Sequence, residues 1–445
     1  MPIIVRCRNT LDECFFFQHF LTIVKKGFLR KKTCRILFHY AEYPPIRKQK
    51  NNKPNFPWEE IMGISLKLFA AAAAAVITFS SAASAEDVKL PDTLAWSAYN
   101  TGTTGYNQSV AIGKALKDKY GVDLRVIPGK NDISRMGPLR SDKVQFVANG
   151  AGTFYAAEGV FEFATPDWGP QQVQMLASAT SDANLSVGVA ADIGVKTFAD
   201  LKGKRVGVVR SSPALTIGTE AMLAFAGLTF DDVEVVEFGG YGAMWKGMIS
   251  GQIDAAFAST VSGPTKQLEA SPRGIYWPPT PAADKEGWAR IQSVAPYFVP
   301  HVAVLGTGNI SKETPHDGAA YPYPILITRA DQDPELVYSM IKAVHSEYEN
   351  YEKSLPEMTG WALENQTFKW AVPYHPAAVK YWKEIGAWTD DMDAHNNEML
   401  KRQQVLADAW ATMAGKGLEG DAFTADWMKT RTAALEAAGM NPIFK

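Results

Sequence analysis

Beyond Cys34 the chain has no cysteine; the three it carries, Cys7, Cys14 and Cys34, all fall near the start of its 445 residues. The long remainder is therefore neither a disulfide scaffold nor a thiol enzyme, and it suits an oxidising compartment where stray thiols are a liability. Net charge is nearly missing as well, −2 from 45 Lys and Arg against 47 Asp and Glu, which argues against a nucleic-acid binder. Catalytic signatures are absent: there is no His-Glu-x-x-His, no paired cysteine spacing and no Gly-x-Ser-x-Gly. Gly203-Lys204-Arg205 lacks both the upstream glycine and the following Ser or Thr of a phosphate-binding loop.

What is present divides at Met62. Residues 1–61 hold twelve Lys and Arg against five acids, so everything after Ala85 comes out near −10. From Met62 the order is one lysine, an apolar run from Leu68 to Phe79, and the small-residue end Ala83-Ser84-Ala85 before Glu86. Those are the parts of a secretory signal peptide over 62–85, cleaved between Ala85 and Glu86. The run is too short for a retained membrane span, which needs about 20 apolar residues. Residues 1–61 precede this signal and read as an upstream misassignment of the start.

The mature part is organised around Val195 to Thr260. Short β-rich apolar runs at Arg205–Val209, Val233–Phe238 and Ile253–Ala258 alternate with a helical period over Ala214–Ala226 that stops at Gly227. This is the pattern of a parallel sheet with crossover helices, whose ligands gather at the carboxyl ends of the strands. The segment from Leu94 repeats the plan: strands at Leu94–Ser97, Asp123–Pro128 and Val144–Ala148, with a helix over Tyr106–Asp118. Two extended stretches, the run Leu185–Ala190 and Tyr321–Thr328, are expected to cross between the lobes and form a hinge. The expected fold class is thus α/β with two lobes, each a mostly parallel sheet with flanking helices. The first lobe comprises 86–184 and 325–445, including a helical C-terminal region packed on it, and the second 185–324.

Strand-end loops supply the candidate site. Tyr99, Asn100, Thr101, Gly102, Thr103 and Thr104 form a hydroxyl- and glycine-rich loop opening a helix, and Asn149-Gly150 leaves the third strand. In the second lobe the equivalents are Arg210, Ser211 and Ser212, then Ser259 and Thr260. Arg210 is the candidate carboxylate holder, because a guanidinium can make two parallel hydrogen bonds to such a group. Tyr241 could stack on a guest, or be core together with Trp245. Asp390, Asp391, Asp393 and His395 lack the turn glycine and bidentate Glu of a calcium loop, so no metal is expected. His375 before Pro376 reads as a structural residue at a helix start.

Four pieces in order carry a family resemblance: Gly102-Thr103-Thr104-Gly105-Tyr106, Asp200-Leu201-Lys202-Gly203-Lys204-Arg205-Val206, Gly251-Gln252-Ile253-Asp254-Ala255-Ala256-Phe257, and the stretch Val372 to Tyr381. In these the chain resembles the TAXI group of extracytoplasmic solute receptors, the binding component of tripartite ATP-independent periplasmic (TRAP) transporters, from about Leu94 to Gly386. The resemblance implies a two-lobed, type II-like periplasmic binding protein that closes on a small polar solute, a carboxylate or amino acid. It implies delivery to TRAP membrane subunits, no cofactor and no catalysis. The turn Val209 to Thr216 departs from the group's usual Gly-Ser-Gly-Thr-like turn, which bears on ligand choice rather than on the lobe. An ATP-driven importer's receptor, a periplasmic enzyme or a ligand sensor on the same lobes are the alternatives.

Overall fold

The computed structural model describes Asp87 to Phe444. The expected leader, its cleavage point at Ala85 and Glu86, and the segment 1–61 lie outside the described residues.

Strands β1 (Thr93–Ala98), β2 (Asp123–Pro128), β3 (Phe146–Asn149) and β4 (Val173–Ser178) come first, with α1 (Thr104–Tyr120), α2 (Asp132–Arg140) and α3 (Gly152–Glu158) between them. There follow β5 (Leu185–Ala190), β6 (Arg205–Val208), α4 (Pro213–Phe225), β7 (Glu234–Glu237), α5 (Tyr241–Ile249), β8 (Ala255–Ser259), α6 (Gly263–Glu269) and β9 (Ile275–Tyr276). Next are α7 (Lys285–Val294), the ribbon β10 (Val299–Ala303) with β11 (His316–Ala320), and β12 (Ile325–Arg329). The principal C-terminal helices are α8 (Pro334–Ser346), α9 (Tyr348–Tyr351), α10 (Pro376–Glu384), α11 (Asp390–Ala411) and α12 (Gly420–Ala437).

Two five-stranded sheets result, in the orders β2-β1-β3-β12-β4 and β7-β6-β8-β5-β9. They are one topology used twice. In each, the first three strands pair in parallel and a single strand, β12 or β5, runs against its neighbours. The reversed strands are fully or almost fully buried apolar runs, as expected of strands flanked on both sides and covered on both faces. Helix ends follow local chemistry: α1 stops at Gly121 in the left-handed conformation, and Asn131 and Ser134 form a capping box that starts α2.

The crossings differ from expectation. Leu185–Ala190 lies wholly within the second sheet between β8 and β9, and Ile325–Arg329 wholly within the first between β3 and β4. Such buried runs need ladder partners on both edges, which a link between lobes does not offer. The crossings are instead the short segments 179–184 and 321–324. They pair with each other, the Tyr323 N–H donating to the Ala179 carbonyl at 2.6 Å and the Ala179 N–H to that of Pro324 at 2.8 Å.

The C-terminal helices pack on the first sheet. The Trp382 indole donates to the Leu176 carbonyl at 2.9 Å, and the Gln403 amide to that of Val173 at 2.7 Å. Behind α3 the Glu158 carboxylate, 2% exposed, receives the Arg402 Nε at 2.6 Å and the fully buried Arg431, which also donates to the Pro442 and Phe444 carbonyls. His375 accepts from the Ala377 N–H at the start of α10, the structural role expected of it. Asp391 pairs with Lys369, Asp393 with Lys383, and His395 with the Trp370 carbonyl, so each of these three groups has a protein partner.

Candidate functional site

Residues at and beyond the carboxyl ends of β1 and β2 face those of β6, β7 and β8 across a cavity of about 50 Å³, taken as the space open to the centre of a water molecule. This exceeds the roughly 10–15 Å³ that holding one water requires, so the space can be occupied, and a guest enclosed here is a small molecule.

The lobes meet directly around it. The Ile133 N–H lies 3.5 Å from the Ser211 carbonyl, the Tyr241 N–H donates to the Lys130 carbonyl at 3.0 Å, and the Ala214 N–H donates to Asp132 Oδ2 at 2.9 Å. These contacts define a closed cleft. Glycine permits this approach at Gly263, where a Cβ would collide with the Gly102 carbonyl oxygen of the opposite lobe; within the first lobe, a Cβ on Gly152 would lie 2.7 Å from the Asp132 carboxyl carbon.

Arg135 forms part of the lining and is 4% exposed. Its Nε donates to Asn149 Oδ1 at 2.9 Å, its Nη2 pairs with Asp132, and its guanidinium carbon stands 3.9 Å from the centre of the Tyr99 ring. Nη1 has no protein partner among the described residues. The aromatic wall continues through Tyr323, whose ring centre is 5.2 Å from that of Tyr99, and Tyr321. Burial, ahead of the neighbouring charges, pushes the hydroxyls of Tyr99, Tyr241, Tyr321 and Tyr323 up from the ordinary tyrosine value, so all four stay protonated.

Of the residues singled out from sequence, Tyr99, Asn100, Thr103, Ser212, Tyr241 and Ser259 line this cavity. Thr103 Oγ1 donates to the Asn100 carbonyl at 2.6 Å, and Asn100 Oδ1 is buried with no partner among the described residues. Tyr241 exchanges a hydrogen bond with Ser262 at 3.0 Å. Others stand behind the wall. Asn149 holds Arg135, Gly150 lies against the Tyr99 hydroxyl, and Thr104 is buried with its Oγ1 unpartnered among the described residues. Thr260 Oγ1 ties the Asn184 N–H to the Leu305 carbonyl near the crossing. Thr101 belongs to a neighbouring surface recess, Gly102 to the contact with Gly263, and Ser211 offers its carbonyl to Ile133.

Arg210 is placed elsewhere than expected. Its side chain is 78% exposed and paired with Glu237, outside the cavity lining. Glu237 ends the neighbouring parallel strand β7, and this nearby charge draws the guanidinium outward. Sequence reasoning missed Asn131, Asp132 and Arg135, along with Tyr321 and Tyr323 at the return crossing. The signal was available: Gly129-Lys130-Asn131-Asp132 leaves the second strand, and the strand-end rule applied to the other loops covers it equally.

Two sheets of identical strand order, hinged by paired crossings and closed over a buried cavity at their strand ends, define a two-lobed solute-binding protein fold. The chain belongs to the NMT1-like family, whose model matches residues 98–386. It is also similar to solved binding proteins at low identity. An ancestral arginine-binding protein bound to arginine is 16% identical, covering 61% of this chain and 99% of that one, with a TM-score of 0.38. The alkanesulfonate-binding protein SsuA from Xanthomonas axonopodis pv. citri bound to MOPS is 12% identical, covering 76% and 98%, with a TM-score of 0.39. The periplasmic aliphatic sulphonate binding protein SsuA from Escherichia coli is 12% identical, covering 79% and 89%, with a TM-score of 0.37. Among the described residues no helix is long and apolar enough to cross a membrane.

Proposed function

We propose that the protein is the periplasmic solute receptor of a TRAP transporter, capturing a small carboxylate or amino acid between its lobes and passing it to the membrane subunits. The observation that carries the reading is Arg135: a buried guanidinium in the wall of a closed inter-lobe cavity, oriented by Asn149 and Asp132, with Nη1 left to receive an anionic oxygen. Around that oxygen the hydroxyls of Ser212, Ser259 and Tyr241 and the Asn100 side chain would replace the guest's water. Ser212 and Ser259 belong to one lobe and Arg135 to the other, so a guest touching both favours the closed form by its differential contacts. The TRAP assignment draws on the four sequence pieces named above.

A thermal-shift screen over small carboxylates and amino acids, followed by calorimetry, tests the capture step. Arg135→Gln is expected to weaken a carboxylate guest by about 10- to 100-fold, the loss of a charged hydrogen bond worth about 1.5–3 kcal/mol. Arg210→Ala is expected to change affinity less than about twofold, as for a solvent-screened ion pair. The reverse ranking would return the carboxylate to Arg210. For the transport step, uptake by vesicles carrying the membrane subunits should need an ion gradient; dependence on ATP would transfer the receptor to an ATP-driven importer.

A further inference from the structure

The anion-receptive end of α4 is already occupied. A helix N-terminus presents unpaired N–H groups and partial positive charge, and so attracts carboxylates. In the 13-residue helix α4 the Ala214 N–H is taken by Asp132 Oδ2 from the opposite lobe. The other oxygen of that carboxylate pairs with Arg135, and the group is fully buried, wedged against Gly152 at the start of α3. Asp132 therefore stands, across the closed cleft, where a guest's own carboxylate would otherwise be held.

This sets a charge count for the guest. Asp132 and Arg135 are the charged side chains buried in the lining, one of each sign; Lys130, the remaining charged lining residue, is exposed, where water screens it. One negative charge can be met at Arg135 Nη1. A second would face Asp132 with no buried cation left to answer it, and like charges brought together out of water repel strongly. We infer that Asp132 is a specificity-determining residue: by filling the α4 N-terminus it admits guests with a single carboxylate, including zwitterionic amino acids, and rejects those with two. Specificity here comes from a built-in repulsive group rather than from an added attraction.

The inference rests on the capture reading above, and paired probes of equal size separate the two. Glutamine against glutamate, and succinamate against succinate, differ by one charge at nearly constant shape. Calorimetry on the full mature chain should find the one-carboxylate member of a pair bound at least about tenfold more tightly. In Asp132→Asn, which keeps an oxygen for the Ala214 N–H but removes the charge, the ratio should shrink to about threefold or less, mainly because the two-carboxylate member gains. Asp132→Ser serves as a second variant, with melting curves to show that each is folded; if neither folds, the wild-type ratio decides alone. Tight binding of the two-carboxylate member by the wild type, or an unchanged ratio in the folded variants, overturns the role of Asp132 while leaving the receptor intact. Failure of every solute in the screen to bind overturns the capture reading and this inference with it.

Discussion

Two buried guanidinium groups, Arg402 and Arg431, share the Glu158 carboxylate, and this cluster joins α3 to α11, α12 and the chain end. Burial holds the Arg431 guanidinium below the ordinary arginine value, with Glu158 opposing that shift. Removing one partner of such a group leaves uncompensated buried charge. Glu158→Gln is therefore expected to lower stability by about 3–5 kcal/mol in chemical denaturation, a much larger effect than loss of the exposed Lys369–Asp391 pair. A cost below about 1 kcal/mol would show that water reaches the cluster. At this scale the sequence was least informative. Arg135 and Arg210 are both arginines near strand ends, and composition cannot rank them. What separates them is the neighbour each meets: Asn149, Asp132 and the Tyr99 face for one, Glu237 in solvent for the other.

Elements set how closely the lobes meet, and one close approach between them is at the start of α6. Gly263 lies so near the Gly102 carbonyl that a methyl group requires the backbone to retreat. Gly263→Ala is expected to cost the closed form about 1–3 kcal/mol, the range for overpacking. Guest affinity should fall by about 5- to 150-fold with little change in the melting temperature of the guest-free protein. Unaltered affinity would mean that this contact is not part of the guest-bound form. Most elements were legible from periodicity, because a half-buried helix or strand must repeat its apolar residues at its own period. The expected helix Tyr106–Asp118 is observed as Thr104–Tyr120, and the strand Asp123–Pro128 keeps its bounds. The crossings were misplaced because a central strand and a bridging strand are equally apolar in sequence. The ribbon of β10 and β11 gave no signal, since its pairing is a long-range event in a Gly- and Pro-rich region.

For the whole molecule, closing of the cleft is expected to move charge as well as surface. Glu162 of the first lobe lies beside Pro213 and Thr216 of the second, and burial pushes its carboxyl up to about 7, against the pull of Arg210. A group raised in the closed form stays protonated there up to about 7, and a Glu162 exposed by opening is expected to return towards the ordinary 4.5, so closure is expected to take up a proton between those values. The contribution favouring closure is thus full below about 4.5 and lost as the pH rises through about 7. Guest affinity should accordingly decline over that interval, with buffer-dependent calorimetry showing proton uptake, and Glu162→Gln should flatten the profile. A profile unchanged in the variant would assign the titration to another group.

By itself the sequence determined the class: a cysteine-poor α/β chain whose two repeated strand-helix patterns place polar loops at strand ends, because secondary structure and sheet topology follow from local periodicity and short connections. The tertiary structure alone decided which loop residues meet, that Asp132 of one lobe caps a helix of the other, and that Arg135 lines the cavity while Arg210 faces water. Those outcomes depend on how two separately wound sheets come together. The electrostatics of a buried site are set by neighbours about eighty residues away in the chain, at distances that local periodicity does not encode.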